Sequence, residues 1–151
     1  MKKYGTEAML ASMILGIGLA LLSSAAVAER VPLPMLPYGD YVDEPIKPIQ
    51  EGMKRYGWTV RESDNVAGVG YVLAALEDYK GHQVVVRIKF ADGQLTFEPV
   101  SDRVLACQSG NCAVKTSAYT RWTTNLRRGI ALAVHQLAIV DARREVWELD
   151  G

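Results

Sequence analysis

The chain has 151 residues, of which 49% are apolar and 23% charged, and its 17 basic side chains balance its 17 acidic ones. This length fits one small globular domain with an additional segment rather than several domains. A neutral chain has no general electrostatic attraction to nucleic acid or to an anionic membrane surface, so we expect neither as a partner.

Residues 1–28 have the three parts of a secretory signal peptide. Lys2 and Lys3 form a basic start, the uncharged apolar run Met9–Leu22 follows, and small residues precede Glu29. The apolar run is shorter than the roughly 20 residues that cross a bilayer as a helix. We therefore predict cleavage between Ala28 and Glu29, a periplasmic location, and no stable membrane insertion after cleavage. An uncleaved membrane anchor is the alternative.

Residues 29–45 form a proline-rich segment, which we call the arm. Proline fixes φ and lacks the N–H donor, so the arm is expected to be extended and without regular structure. Its apolar side chains are costly to leave in water. We therefore expect the arm to lie against the domain, with docking onto a partner as the alternative.

A short amphipathic helix is predicted at the start of a domain that spans residues 46–140. Its apolar side chains recur at helical spacing: Ile46, Ile49, Met53 and Tyr56. Asp43 is a candidate N-cap, and Gly57 is placed to end the helix in the left-handed conformation. Residues 58–62 then alternate as a strand, and residues 63–65, Ser-Asp-Asn, have the composition of a turn.

The strongest local signal is a β-hairpin over residues 83–97, in which two alternating runs flank Asp92-Gly93. An Asp-Gly pair suits a type I′ turn because both central residues need a positive φ. The side chains expected on the buried face are Val84, Val86, Ile88 and Phe90. The alanine and leucine residues of 69–79 are compatible with a helix, but we prefer a strand that pairs with this hairpin through a turn at residues 80–82. Pro99 predicts that the second strand leaves the sheet or lies at its edge.

A long amphipathic helix is predicted from about Ser117. Its apolar stripe comprises Tyr119, Trp122, Leu126, Ile130, Ala133, Val134 and Leu137. Gly129 lowers helix stability by about 1 kcal/mol relative to alanine, which is tolerable where helix and sheet approach closely. Residues 141–151 are predicted to be a C-terminal tail, either a helical extension or a loose end.

These elements predict an α+β fold with two layers. A three- or four-stranded antiparallel sheet is expected to carry both helices on one face. Three structural aromatic residues, Trp58, Tyr119 and Trp122, are expected to fill the space between the layers.

The two cysteines, Cys107 and Cys112, are predicted to form a disulfide that closes a tight loop in an exported protein. A redox site is the alternative, but catalytic dithiols usually have Cys-x-x-Cys spacing at a helix N-terminus. A zinc site needs two more ligands, and no nearby cysteine or histidine supplies them. We expect no metal and no cofactor.

No arrangement of residues in the sequence predicts catalysis. His82 and His135 are solitary, and a lone histidine is more often a packed or surface residue than a catalyst. Asp40, Asp43 and Glu44 form an acidic cluster without the spacing of a calcium loop, so solvated side chains are expected there.

Four pieces of the sequence form a recognisable order: Tyr56-Gly57-Trp58, Val84–Phe90, Ser101–Leu105, and Tyr-x-x-Trp-x-x-x-Leu at Tyr119–Leu126. In this order the chain resembles a family of small, uncharacterised bacterial envelope proteins, many of them lipoproteins, over roughly residues 46–135. The chain lacks the lipid-attachment cysteine and the histidine ahead of the tyrosine that family members often carry. The resemblance implies the fold and an envelope location, and it implies no catalytic residue.

We therefore expect an exported, non-enzymatic binding domain whose partner is an envelope protein or glycan. The alternative is a hydrolase directed at the cell wall, or an inhibitor of one, with Glu98, Asp102 or His82 in a cleft beside the hairpin. A glycosidase would need two carboxyl groups roughly 5–10 Å apart. Thiol chemistry at the cysteine pair is a third hypothesis.

Overall fold

The computed structural model describes residues 30–78, 80–109 and 112–149. The predicted signal peptide and its cleavage site at Ala28 and Glu29 lie outside these residues. The elements, in chain order, are β1 (Leu36–Pro37), α1 (Ile46–Lys54), β2 (Thr59–Val66), β3 (Val69–Glu77), β4 (His82–Ala91), β5 (Gln94–Val104) and α2 (Thr116–Leu149).

The α+β fold is confirmed, with an antiparallel sheet of five strands in the order β1-β5-β4-β3-β2. The predicted count of three or four strands was too low because the arm contributes β1. Leu36 and Pro37 pair with Leu95 and Gln94 at the edge of the sheet. Proline is tolerated there, since an edge strand leaves one row of N–H groups unpaired.

The predicted central hairpin is confirmed in β4 and β5. Asp92 and Gly93 have φ values of 50° and 70°, as a type I′ turn requires. Alternate β4 side chains on one face are almost fully buried: Val84, Val86, Ile88 and Phe90. β4 therefore lies at the centre of both the sheet and the core.

The turn between β2 and β3 is not at residues 63–65, where the sequence predicted it. Those residues belong to β2, and the turn is Ala67-Gly68, with φ values of 52° and 83°. The Asn65 side chain accepts a hydrogen bond from the Gly68 N–H at 3.1 Å. Every residue of β2 is exposed, and a polar edge strand has the same composition as a loop.

β5 continues through Pro99 instead of ending there. Val85 pairs with Ser101 and Val86 with Pro99, so Val100 is an extra residue in a β-bulge. In the part of the chain that the structure describes, β1 pairs with β5 only near Leu95, far from Pro99. Pro99 therefore lies on a stretch of β5 that pairs only with β4 among the described strands, which is the predicted edge position, and the bulge accommodates its ring.

The two helices cross each other at a pair of glycines. A Cβ atom on Gly52 would overlap the backbone of Ile130, and one on Gly129 would overlap the Gly52 carbonyl oxygen. Gly129 therefore permits close approach of helix to helix, not of helix to sheet as predicted.

The predicted N-cap at Asp43 is also wrong, because Pro45 occupies the cap position and no side chain caps α1.

Both helices contribute to one buried cluster with the inner face of the sheet, including Met53 of α1 and Leu126 of α2. Trp58 and Tyr119 lie in this cluster, and Trp122 packs at its edge. α2 continues to Leu149, so described residues of the predicted tail are helical. Within the described ranges, no helix combines the length and the apolar character needed to cross a membrane.

The arm lies against the domain, the first of the two predicted alternatives. Leu36 and Tyr38 pack on the core cluster. Arg127 of α2 donates hydrogen bonds to the carbonyl oxygens of Pro34 and Met35, at 2.7 and 2.9 Å. The arginine thus satisfies the carbonyl groups just before β1. The prediction that the arm has no regular structure was wrong, because Leu36–Pro37 pair with β5.

Candidate functional site

Glu98 and Asp102, the two carboxylates predicted for a hydrolytic site, lie on opposite faces of the sheet. Glu98 is on the outer face, where its side chain accepts a hydrogen bond from Lys89 Nζ at 2.6 Å. Asp102 lies opposite Val84 in the β4–β5 register and is buried against Arg30. The structure therefore does not bring these two groups to one groove.

Cys107 and Cys112 form a disulfide, with their Cα atoms 5.8 Å apart. The loop they close is attached to the sheet on both sides. The Val104 N–H donates to the Cys112 carbonyl at 2.8 Å, and the Leu105 N–H donates to the Gly81 carbonyl at 2.7 Å. The residues after Cys112 are thus held beside the turn that precedes β4.

A cleft of about 640 Å³ opens between this segment, the β3–β4 turn and the first turns of α2. We call it the Trp122 cleft. Its apolar lining comprises Tyr56, Leu76, Val104, Ala113, Ala118 and Trp122. Its volume is in the range of small-molecule sites, which are lined mainly by apolar and aromatic side chains with a few polar groups.

His82 is one of the polar groups on the wall of the cleft, and it is not solitary. Its Nδ1 lies 2.8 Å from Asp78 Oδ2, and its ring lies 5.6 Å from the Trp122 ring, centroid to centroid. A carboxylate at Nδ1 favours the tautomer with the proton on that nitrogen. The interpretation of His82 as a residue without a partner was wrong, since the β3–β4 turn brings Asp78 back to it.

Asp78 is held in its ionised form. Burial raises the pKa of its carboxyl. Hydrogen bonds from the His82 side chain and from the backbone N–H groups of His82 and Lys80 lower this pKa by more than burial raises it, so it lies below the ordinary value of 3.8. The two backbone bonds are each 2.9 Å long. The oxygens of Asp78 are therefore engaged with the protein itself.

Three cationic side chains also line the cleft: Lys80, Lys115 and Arg121. Lys115 immediately precedes α2, and Arg121 and Trp122 lie in its second turn. Among the described residues, no carboxylate forms an ion pair with Lys115 or Arg121. The N-terminus of α2, which is the positive end of its dipole, lies at the same cleft, and cationic side chains outnumber Asp78 among the described lining residues.

A buried arginine fixes the segment that carries Lys115. Arg30 pairs with Asp102, and each side chain is only 2% exposed. Arg30 also donates to the Val114 carbonyl at 2.7 Å and to Thr116 Oγ1 at 3.1 Å, and its guanidinium lies 4.4 Å from the centre of the Tyr119 ring. Burial and the charge of Asp102 raise the pKa of Tyr119, although Arg30 opposes them.

Several other candidate residues lie away from the cleft. His135 is on the exposed surface of α2, and the acidic residues Asp40, Asp43 and Glu44 are exposed in the arm. Over the described ranges, no group of three or more metal-ligating side chains is close enough to hold a metal ion.

The sequence patterns pointed to Trp122 as a packing residue and missed the cleft beside it. The spacing of Asp78 and His82, four residues apart around Gly81, was the one available signal for their pairing. No family model matches this chain, and neither a curated protein nor a solved structure matches it.

Proposed function

We propose that this protein is an exported, non-enzymatic binding domain of the bacterial cell envelope, and that the Trp122 cleft is its ligand site. One observation carries the proposal: the cleft joins an aromatic and apolar wall to two cations, Lys115 and Arg121, that pair with no carboxylate of the described residues. Its walls belong to the sheet, the disulfide-linked segment and α2. Sites built on such elements keep their geometry in the absence of ligand.

The composition of the cleft supports binding more than catalysis. Among the lining residues that the structure describes there is no serine, threonine or cysteine that would act as a nucleophile. The only cysteines are in the disulfide, which also supports an oxidising compartment. An export signal before the arm and the resemblance to envelope proteins agree with a periplasmic location.

The proposal is tested by NMR on isotope-labelled protein purified from cells that export the full chain. Solubilised envelope fractions containing protein, glycan or lipid are added separately. At least one fraction is expected to shift the resonances of Leu76, Ala113 and the Trp122 indole while leaving Leu132, on the exposed part of α2, unchanged. Shifts that avoid the cleft with every fraction would end the proposal.

A second candidate function, hydrolysis, is favoured by the Asp78–His82 pair. A histidine oriented by a carboxylate is suited to act as a general base toward water. Asp78 is the only carboxylate among the described lining residues, so a glycosidase mechanism with two carboxyl groups has no support from this part of the chain. Release of products from wall fragments or lipid esters, abolished by His82→Gln, is the expected result for this candidate; no turnover by the wild-type protein removes it.

A further inference from the structure

We infer that the ligand of the Trp122 cleft is an amphipathic organic anion, with a carboxylate or phosphate group attached to an apolar chain. This inference rests on the proposed function and adds to it the chemical class of the ligand.

The sign of the ligand charge follows from which polar groups of the cleft already have partners. Asp78, the one carboxylate among the described lining residues, accepts hydrogen bonds from the His82 side chain and from two backbone N–H groups. A ligand cation would therefore share these oxygens with three donors of the protein. Lys115 and Arg121, in contrast, line the cleft and have no ion pair among the described residues, so an anion bound there would break none. An arginine fork and a lysine ammonium together suit carboxylate and phosphate oxygens.

The apolar part of the ligand follows from the wall next to these cations. Leu76, Val104 and Trp122 are each half-buried at the edge of the core cluster. A purely polar anion such as free phosphate would leave this wall in contact with water. Each methylene group that the wall removes from water strengthens binding by about fourfold, so an attached chain adds affinity that the exposed cations alone do not supply.

The size of the cleft sets an upper limit on the length of the ligand's apolar chain. A volume of about 640 Å³ accommodates a drug-sized molecule but not a folded polymer. Two sources share the required chemistry: a carboxylate, as in a fatty acid or the end of a peptide, and a phosphate, as in a lipid headgroup. The experiment separates them by head group.

The test uses four probes with the same eight-carbon alkyl chain: nonanoate, octyl phosphate, octylammonium and 1-octanol. Each is titrated into the labelled protein while the Trp122 indole resonance is followed. We expect one or both anions to bind with a Kd of about 0.1–5 mM, a range set by the modest affinity per atom of small ligands. The cation and the neutral alcohol are expected to bind at least about fivefold more weakly, since exposed charges each contribute modestly.

Two matched double variants locate the charge. Lys115→Gln/Arg121→Gln is expected to weaken anion binding by about three- to tenfold and to remove most of its dependence on salt. Arg55→Gln/Arg128→Gln changes the net charge equally at exposed positions outside the cleft and is expected to leave binding unchanged. Circular dichroism checks that both variants are folded.

The outcomes distinguish this inference from the proposed function. Equal binding of octanol or octylammonium at Trp122 overturns the anionic ligand but leaves the cleft as a binding site. Equal weakening by both double variants also overturns it, because the effect then comes from net charge alone. If none of the four probes shifts Trp122, the amphipathic anion is wrong, and the proposed function then depends on the envelope-fraction experiment alone.

Discussion

The pair formed by Arg30 and Asp102 gives the sharpest prediction about stability. Arg30 donates four hydrogen bonds, to Asp102, Val114 and Thr116. Both side chains are 2% exposed, so the substitution Arg30→Met leaves the Asp102 carboxylate buried without its countercharge. Removal of one partner of a buried ion pair typically costs about 3–5 kcal/mol.

This loss is a large fraction of the total, since small domains have unfolding free energies of about 5–15 kcal/mol. At roughly 4 °C per kcal/mol for a domain of this size, we expect the melting temperature to fall by about 10–20 °C. Urea unfolding of protein purified after export, followed by circular dichroism, measures the same loss as a lower midpoint at unchanged slope.

A double variant and a control make the reasoning refutable. Arg30→Met/Asp102→Leu removes both charges and is expected to be more stable than Arg30→Met alone, because no unpaired charge remains buried. Arg61→Met breaks an exposed ion pair, since the side chains of Arg61 and Glu77 are 41% and 54% exposed. This variant should leave the urea midpoint near that of the wild type. A loss below about 1 kcal/mol for Arg30→Met, or strict additivity in the double variant, would show that the pair does not act as a buried unit.

Three further substitutions test other parts of the structure. Gly52→Ala should destabilise the protein by about 1–3 kcal/mol in urea unfolding, since the methyl group overlaps the backbone of α2 and this overlap exceeds the helix-propensity gain of about 1 kcal/mol; a more stable variant would contradict the close crossing. Asp78→Asn should be less stable than wild type at pH 7 but lose less stability on acidification below about pH 4. The reason is that the pKa of Asp78 is lowered in the folded protein. The carboxylate therefore stabilises the fold at pH values above its ordinary pKa, and this stability is lost as the pH falls through the folded-state pKa. Equal shifts of the urea midpoint between pH 7 and pH 3 in both proteins would refute this reasoning. Trp58→Phe should cost under about 2 kcal/mol by the same assay, because the buried Trp58 indole N–H has no acceptor among the described residues and no hydrogen bond is lost; a larger loss would indicate a partner for that N–H.

Local signals were sufficient to predict most of the fold. The Asp92-Gly93 turn and the alternation of β4 are properties of adjacent residues, so the central hairpin follows from turn geometry and side-chain period alone. β2 was harder, because Ser63 and Asn65 occur as readily in an exposed edge strand as in a turn. β1 was missed because two residues are too short to produce a period.

The candidate site depends on contacts that adjacent residues do not encode. Arg30 and Asp102 are 72 positions apart in the sequence, and nothing near Arg30 indicates that its side chain is buried. The Trp122 cleft combines β3, β4, the disulfide-linked segment and α2, so its existence depends on how these elements pack. The helical stripe identified Trp122 as apolar, but a stripe does not show which of its residues lies at the margin of the core.

Arg30 connects the start of the arm to the body of the domain. Its hydrogen bonds to Val114 and Thr116 join the arm to the residues that lead into α2. An exopeptidase that removed Arg30 would remove no residue of any described strand or helix. It would nevertheless leave Asp102 without its arginine partner and release the segment that carries Lys115. Loss of Arg30 is thus expected to disturb the Lys115 wall of the Trp122 cleft together with the stability of the domain.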